Sequence, residues 1–225
     1  MQILVVAATA MEVAPLVARL GTARSRDSRT RSFGFCGHQV DILTTGVGMV
    51  SASAWTSRAL AGGHYDIAVN VGICGSFDPA FGPGAVVNVV TDRISELGAE
   101  DGDGFLHFDA LNLPDEGLEG PKPACVHAKP FDNPALAALP AVSAITVNTV
   151  HGRERSIADA VARFRPQTES MEGAGFMFAC AINGLPFAQV RSVSNMVERR
   201  NRSAWRIPEA LASLTPALVR ILETP

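Results

Sequence analysis

The sequence has 225 residues, of which 47% are hydrophobic and 18% are charged, with a net charge of −3. A chain of this length can bury one core, so we expect a single domain spanning residues 1–225. Its 17 arginines and 2 lysines leave no cationic surplus, which argues against nucleic-acid binding because phosphates require neutralisation. The composition favours an α/β domain that acts on a small molecule.

The sequence also constrains compartment and membrane contact. The four cysteines lie far apart without a CxxC pair, which predicts free thiols in a reducing cytoplasm. The apolar N-terminus lacks the basic region of a signal peptide. No uninterrupted apolar stretch is long enough to span a bilayer. We therefore expect a cytoplasmic protein without a membrane segment.

Short apolar runs alternate with helical segments, a pattern typical of strands covered on both faces by helices. The segment 22–32 is predicted to be an exposed loop, and residues 72–76 are predicted to form a turn. Pro15 fits the predicted helix only if it lies in the first turn. In chain order the first half predicts a strand at 2–8, a helix at 11–20, a hairpin of 33–36 and 39–45, a helix at 49–61, and strands at 67–71 and 85–91.

The regular pattern is lost between about 95 and 133, where glycine, proline and acidic residues predominate. In a compact chain this predicts a lid or contact loop rather than a linker. Regular structure resumes with predicted strands at 144–148, 168–171 and 186–194 and predicted helices at 156–163, 173–183 and 208–222.

Polar side chains follow three of the predicted strands, at the edge where open α/β sheets collect ligands. Glu12 follows the first strand, Glu172 lies between a strand and an apolar helix, and Asn195 closes the last strong strand. Each also has a structural interpretation. Glu12 can be an acid in a first helical turn, Glu172 a helix cap and Asn195 a turn residue.

Other chemistries lack their sequence signatures. The glycines at 46–48 do not complete a dinucleotide fingerprint, and no phosphate-binding GxxxxGK[ST] motif occurs. The five histidines have no metal-ligand spacing, and Gly75-Ser76 lacks the flanking pattern of a serine hydrolase. We therefore expect no metal and no organic cofactor.

Five motifs and a tail occur in a characteristic order. They are Ala-Met-Glu at 10–12, Thr-Gly-Val-Gly at 45–48, Asn-Val-Gly-Ile-Cys-Gly-Ser-Phe at 70–77, Ser-Met-Glu-Gly-Ala at 170–174, Arg-Ser-Val-Ser-Asn at 191–195 and the segment 195–205. This combination resembles the nucleoside phosphorylase and nucleosidase superfamily and, within it, the futalosine hydrolases. The resemblance implies a single-domain nucleoside-phosphorylase-like α/β fold, with a central twisted mixed β-sheet flanked by helices, that forms a homodimer.

The activity implied by this resemblance is hydrolysis of the N-glycosidic bond of a 6-oxopurine nucleoside. The expected reaction converts futalosine to hypoxanthine and dehypoxanthine futalosine in menaquinone biosynthesis. By the same resemblance, Glu12 activates water and Arg191 holds that water or the carboxylate. Glu172 accepts hydrogen bonds from the ribose hydroxyls, with Met171 against the sugar face, and such bonds strengthen as the ring becomes cationic.

Asn195 departs from the adenine-releasing relatives, in which an aspartate at this place donates a proton to purine N7. A carboxamide is no general acid, but its NH2 group donates to N7 or O6 while its carbonyl oxygen accepts. This pattern favours a 6-oxopurine such as hypoxanthine. The remaining expected substrate-binding residues are Gly75, Ser194 and Gly152.

Water is the expected nucleophile. Phosphorylases of this superfamily place arginines beside the first strand end and before the glycine-rich turn, whereas residues 7–12 and 69–71 contain none. Glu12 would repel a phosphate dianion at this place. Ile73 stands where relatives often carry a small polar residue near the water.

The 5′ side of futalosine carries a carboxyphenyl ketone, which requires an apolar slot and a group for its carboxylate. Guanidinium suits a carboxylate because it binds in a bidentate manner. The candidates are Phe105, Leu106 and Phe108 for the slot and Arg199, Arg200 and Arg202 for the carboxylate, with loop anchoring and simple solvation as their structural alternatives.

Two other functions stay open. One is a nucleosidase for methylthioadenosine and adenosylhomocysteine, which Asn195 disfavours. The other is a non-catalytic nucleoside-binding module, against which the two glutamates argue because a binder has no use for a water-activating carboxylate.

Overall fold

Apolar runs and helical repeats of the sequence form twelve strands and six α-helices within the described residues of the computed structural model, which are 1–102, 104–111, 113, 120–122 and 124–224. The strands are β1 (Gln2–Ala7), β2 (Arg24–Ser25), β3 (Thr30–Phe35), β4 (His38–Thr44), β5 (Ile67–Ser76), β6 (Val86–Ile94), β7 (Gly98–Asp101), β8 (Gly104–His107), β9 (Cys125–His127), β10 (Ala141–Thr146), β11 (Thr168–Ser170) and β12 (Phe187–Met196). The helices are α1 (Ala10–Leu20), α2 (Met49–Gly62), α3 (Pro134–Ala137), α4 (Glu154–Phe164), α5 (Gly173–Ile182) and α6 (Ile207–Glu223).

A mixed sheet runs through the molecule in the order β11-β10-β6-β12-β5-β1-β4-β3-β2, with β9 beside β6. Strand β1 pairs in parallel with β4 and β5, and β5 pairs in parallel with β12. The carboxyl ends of these strands therefore lie at one edge of the sheet. Strand β11 also pairs antiparallel with β5, through Glu169 and Gly75, which folds the sheet back on itself next to that edge.

Apolar side chains of the sheet are buried on both faces, as the alternating strands and helices predict. On one face, α1 and α6 contribute Val13, Leu16, Leu214 and Leu218 to a core with residues of β1 and β5. On the other face, Phe176 and Met177 of α5 pack with Leu4 and Val6 of β1. Within the described part of the chain, no helix has the length and apolar character needed to cross a membrane.

Close packing of two helices sets the position of Glu172. A β-carbon added to Gly175 of α5 would overlap the main-chain carbonyl of Met49, the first residue of α2. The missing side chain thus allows the start of α2 to approach the start of α5. Glu172, the N-cap of α5, lies within hydrogen-bond distance of Gly48 as a result.

Most predicted elements are confirmed within a few residues of their bounds, but four expectations differ from the structure. The segment 72–76 is not a turn, since β5 continues to Ser76 and pairs with β12 along that length. Pro15 lies inside α1 rather than in its first turn. It is on the exposed side of the helix, where the carbonyl group that loses its donor can be hydrated.

The segment 22–32 is also not a plain exposed loop. Strand β2 pairs with β3, and Arg26 forms an ion pair with the buried Asp41. Burial raises the pKa of Asp41, but hydrogen bonds from Ser32, Tyr65 and Arg26 outweigh that effect and hold the pKa below its usual value. Of the four arginines in this segment, Arg26 therefore has a structural role.

The expected loop at 95–133 contains more regular structure than predicted. Strands β7 and β8 form a hairpin, and β9 pairs with β6. Residues 103, 112, 114–119 and 123 of this segment lie outside the described residues.

Candidate active site

A cavity of about 260 Å³ opens at the carboxyl edge of β1, β5 and β12. Six of the residues expected to bind or transform a substrate line it, namely Glu12, Gly75, Met171, Glu172, Ser194 and Asn195. Parallel strands carry these residues to one place although they are far apart in the chain. The structure therefore brings six residues that the sequence placed at this edge of the sheet to a single cavity.

The Glu12 carboxylate is buried and fixed on both oxygens. Its Oε2 accepts hydrogen bonds from the Thr9 main-chain N–H (2.9 Å) and the Thr9 hydroxyl (3.0 Å). Its Oε1 accepts from the main-chain N–H of Ile73 (3.2 Å). Since Thr9 follows β1 and Ile73 belongs to β5, two adjacent strands orient this carboxylate.

Glu172 faces the same cavity from the start of α5. The main-chain N–H of Gly48 donates to its Oε1 at 3.1 Å, and its Oε2 lies 3.8 Å from Nη1 of Arg191. The side chain is 7% exposed. The remaining lone pairs of this carboxylate are available to hydroxyl donors in the cavity.

Arg191 lies behind the cavity wall, with a side chain that is 1% exposed. Its Nε donates to the Gln189 side-chain oxygen at 3.0 Å, and its Nη2 donates to the Asn70 side-chain oxygen. Among the described residues, Nη1 has no hydrogen-bond partner. The guanidinium group therefore keeps one unused donor beside Glu172.

Gly72 provides the space in which Glu12 and Arg191 approach each other. A β-carbon built on Gly72 would lie 2.6 Å from Glu12 Oε1 and would overlap Arg191 Nη1. Glu12 and Glu172 thus both lie near one buried guanidinium, a charge balance that reduces the cost of burying two acids.

At the other end of the cavity, a bulge in β12 sets the position of Asn195. The register with β5 shifts between Val193 and Asn195, so Ser194 is the inserted residue. The Ser194 hydroxyl lies 3.1 Å from the Cys74 carbonyl oxygen and 2.8 Å from Asn195 Oδ1. Asn195 Nδ2 donates to the Met196 carbonyl oxygen at 2.9 Å, which orients the carboxamide at the cavity edge.

The sequence prediction missed a polar pair, His151 and Glu169, which also lines the cavity. The main-chain N–H of His151 donates to Glu169 Oε1 at 3.1 Å, and its Nδ1 lies 2.5 Å from Oε2. The hydrogen bond to Glu169 raises the pKa of His151, against the opposing effect of burial. A glutamate inside a predicted buried strand was the available signal, because a buried carboxylate requires a partner.

The other predicted residues lie outside the cavity lining. The carbonyl oxygen of Gly152 accepts from the Arg200 main-chain N–H at 3.2 Å. The Phe105 ring packs under the Arg163 guanidinium at 4.4 Å, which matches the loop-anchoring alternative. Leu106 and Phe108 do not line the cavity, and Arg199, Arg200 and Arg202 are exposed.

Trp205 lines the cavity although the sequence analysis did not single it out, and the Arg200 guanidinium lies 5.6 Å from its ring.

Cys74 is the one thiol among the described residues that line the cavity. Burial raises its pKa to about 12. A protonated thiol is a weak nucleophile.

Residues 2–223 match the phosphorylase superfamily. Futalosine hydrolase of Streptomyces coelicolor is 37% identical over 187 residues, which cover 80% of this chain and 77% of that protein. Futalosine hydrolase of Thermus thermophilus is 28% identical over 187 residues, with 80% of each chain covered.

Two solved structures show the same fold. The 5′-methylthioadenosine/S-adenosylhomocysteine nucleosidase of Colwellia psychrerythraea, in complex with adenine, has a TM-score of 0.81 at 22% identity and covers 99% of this chain and 94% of its own. Futalosine hydrolase of Helicobacter pylori has a TM-score of 0.82 at 13% identity, with 99% and 97% covered.

The chain belongs to the phosphorylase superfamily and is an enzyme of its nucleoside hydrolase and phosphorylase class. Within that class, the relatives of moderate sequence identity are futalosine hydrolases. The α/β fold class and the family expected from the sequence are confirmed.

Replacing Gly72 with alanine should lower the free energy of unfolding by about 1–3 kcal/mol, because the added methyl group would overlap two buried charged side chains. Gly34→Ala in β3 is the matched control, since a β-carbon there meets nothing within 4 Å. Urea titrations followed by circular dichroism compare the two variants. Equal stabilities would contradict the placement of Glu12 and Arg191 against Gly72.

Proposed function

We propose that the protein is a futalosine hydrolase. In the proposed reaction, water displaces hypoxanthine from the ribose of futalosine and leaves dehypoxanthine futalosine, the step that the sequence resemblance assigns to menaquinone biosynthesis. The observation that carries the proposal is one cavity with two buried carboxylates at one end and Asn195 at the other. The 37% identity to the Streptomyces coelicolor futalosine hydrolase supports it.

Glu12 is the proposed general base. Cleavage of the ribosyl C–N bond places positive charge on the sugar, and a base that deprotonates water increases its attack on C1′. Thr9 and Ile73 orient the Glu12 carboxylate, and the unused Nη1 donor of Arg191 lies on the same side of Gly72. That donor supplies a contact for the water or for the carboxylate.

Glu172 is the proposed ligand of the ribose hydroxyls. The Gly48 N–H fixes one of its oxygens and Arg191 lies beside the other, so the carboxylate is oriented before the substrate arrives. Hydrogen bonds from the 2′- and 3′-hydroxyls would strengthen as the ring becomes cationic, and such bonds lower the barrier more than they raise substrate affinity. Met171 lines the cavity next to this group and offers an apolar surface to the sugar.

Asn195 is proposed to recognise the base. Its Nδ2 can donate to N7 or O6 and its Oδ1 can accept, a pattern that a 6-oxopurine satisfies. An aspartate at this position would instead carry a proton to N7. The carboxamide thus favours the release of hypoxanthine over the release of adenine.

The charges of the cavity favour water over phosphate. Among the described residues that line it, none is arginine or lysine, whereas Glu12, Glu169 and Glu172 are acids. Arg191 is buried behind the wall, near two carboxylates. A phosphate dianion would therefore meet net repulsion.

Glu12→Gln should lower kcat for hypoxanthine release from futalosine by about 100-fold or more, because the amide cannot take a proton from water. Hypoxanthine binding should persist. Glu154→Gln is the matched control, since Glu154 also occupies a first helical turn but is exposed. A chromatographic assay of released base measures turnover, and unchanged turnover in Glu12→Gln would remove Glu12 from the mechanism.

Asn195→Asp should shift base preference towards adenine. The ratio of kcat/KM for methylthioadenosine to kcat/KM for futalosine is expected to rise by at least about tenfold, since a carboxyl group can donate a proton to N7 and accept from a 6-amino group. Parallel assays of both substrates with the wild type and the variant measure this ratio. An unchanged ratio would contradict the specificity argument, and faster adenine release by the wild type would contradict the proposed activity.

We also infer a homodimer. Met11 and Val47 line the cavity and are 53% and 56% exposed, and the nearby Val50 is 77% exposed. Apolar side chains grouped at a cavity mouth are typical of a surface that another chain covers. A second copy of the chain on this surface would enclose the cavity further.

Val50→Asp should shift the protein from dimer towards its 23.7 kDa protomer mass, because a buried, unpaired carboxylate opposes association. Ile182→Asp is the control at another exposed apolar position, 52% exposed at the end of α5. Light scattering coupled to size exclusion measures both masses. A monomeric wild type, or equal dimer fractions in both variants, would contradict the inference.

A further inference from the structure

The proposed mechanism leaves one requirement unmet. Hypoxanthine departs with the electron pair of the broken C1′–N9 bond, and Asn195 stabilises that charge only by hydrogen bonding. Protonation of the base during departure lowers the barrier further. A proton donor at the base end of the cavity would supply this, and the pair formed by His151 and Glu169 lies there.

We propose that His151 is a catalytic residue that donates a proton from Nε2 to the N7/O6 edge of the departing 6-oxopurine, and that Glu169 is the positioning residue for its imidazole. The inference deepens the proposed function and rests on it. The water oxygen bonds to C1′ and its proton passes to Glu12, while His151 gives one proton to the base. Solvent then returns a proton to His151 and accepts one from Glu12.

The hydrogen bonds of the pair fix which ring nitrogen is free. A carboxylate only accepts, so the His151 Nδ1 that lies 2.5 Å from Glu169 Oε2 carries a proton. Among the described residues, the hydrogen bonds of His151 involve its main-chain N–H and Nδ1, and none involves Nε2. Glu169 also accepts from the His151 main-chain N–H at 3.1 Å. One carboxylate therefore holds both the backbone and the ring, and Nε2 remains as the donor when the ring is protonated.

Gly75 places the pair next to the expected base contact. A β-carbon built on Gly75 would lie 3.4 Å from Asn195 Nδ2 and 3.4 Å from Glu169 Cγ. Asn195 and Glu169 thus flank the same glycine, and His151 lines the cavity together with both. The His151 side chain is 13% exposed, and its ring packs edge-on against Phe77 with 6.1 Å between ring centroids. The ring is held in place but open to the cavity.

The surrounding charges favour the protonated ring. The hydrogen bond and the charge of Glu169 raise the pKa of His151, and the charge of Glu96 adds to this, while burial and Arg163 oppose it. Glu12 and Glu172 also line the cavity, and the buried Arg191 lies near both. An imidazolium with a raised pKa is available as an acid near neutral pH.

The decisive experiment is the pH dependence of kcat/KM for hypoxanthine release from futalosine. For the wild type, kcat/KM should fall as pH rises through the raised pKa of His151, because the acid form is lost. His151→Gln should lower kcat by about 100-fold and remove this descending limb, since glutamine donates a hydrogen bond but no proton. His64→Gln, at a side chain that is 83% exposed, is the matched control and should keep the wild-type profile.

Glu169→Gln provides the second test. The glutamine oxygen can still accept a hydrogen bond from Nδ1, but the carboxylate charge is lost. The pKa of His151 should therefore fall, which moves the descending limb to lower pH. Turnover on the acidic side of the limb should be largely kept. A merely structural role of the pair would lower activity at all pH values without moving the limb. Thermal melts establish that each variant is folded.

The outcomes separate the two levels of the proposal. A wild type that releases no hypoxanthine from futalosine would overturn the proposed function. An active wild type whose His151→Gln variant retains kcat within about threefold and keeps the same limb would overturn the role of His151 alone. An unshifted limb in Glu169→Gln would overturn the positioning role of Glu169.

Discussion

The site depends on the burial of one guanidinium near two carboxylates. Glu12 and Glu172 are both nearly excluded from solvent, and two such acids without a countercharge would be costly to bury. Arg191 supplies the positive charge. Its guanidinium is held in place because the side-chain oxygens of Gln189 and Asn70 accept hydrogen bonds from two of its nitrogens. Among the described residues, the third nitrogen has no hydrogen-bond partner and lies 3.8 Å from Glu172 Oε2. This arrangement places a positive charge beside both glutamates and leaves one of the guanidinium nitrogens without a hydrogen-bond partner among the described residues.

The support of Arg191 extends through the sheet. Gln189 donates to Asp92 at 3.0 Å, Thr146 donates to the same carboxyl group at 2.9 Å, and the Thr146 hydroxyl accepts from the Ala174 N–H at 2.8 Å. Burial raises the pKa of Asp92 to about 6, against the opposing hydrogen bonds. A polar chain from Asn70 to Ala174 thus ties β5, β12, β6 and β10 to the start of α5. Substitutions far from the cavity can therefore act on the glutamates through this chain.

Local patterns account for what the sequence could predict. Apolar periodicity identified most strands and helices, and polar residues after strands identified the glutamates and Asn195. Residues 72–76 were misread because glycines that allow close approach of side chains cannot be distinguished, in sequence, from glycines that make a turn. His151 and Glu169 were missed because their partnership depends on β10, which precedes His151, pairing with β11. Contacts of this kind follow from the register of distant strands, which local patterns do not contain.

The proposed function requires water, not phosphate, as the nucleophile in this cavity, where three acids and no arginine or lysine line the described part. The most direct measurement is the reaction of futalosine in phosphate-free H2¹⁸O, followed by mass spectrometry of both products. The account predicts hypoxanthine without label and dehypoxanthine futalosine with one ¹⁸O atom at C1′ when the product is analysed before exchange. Turnover that requires phosphate and yields a ribosyl 1-phosphate would contradict it.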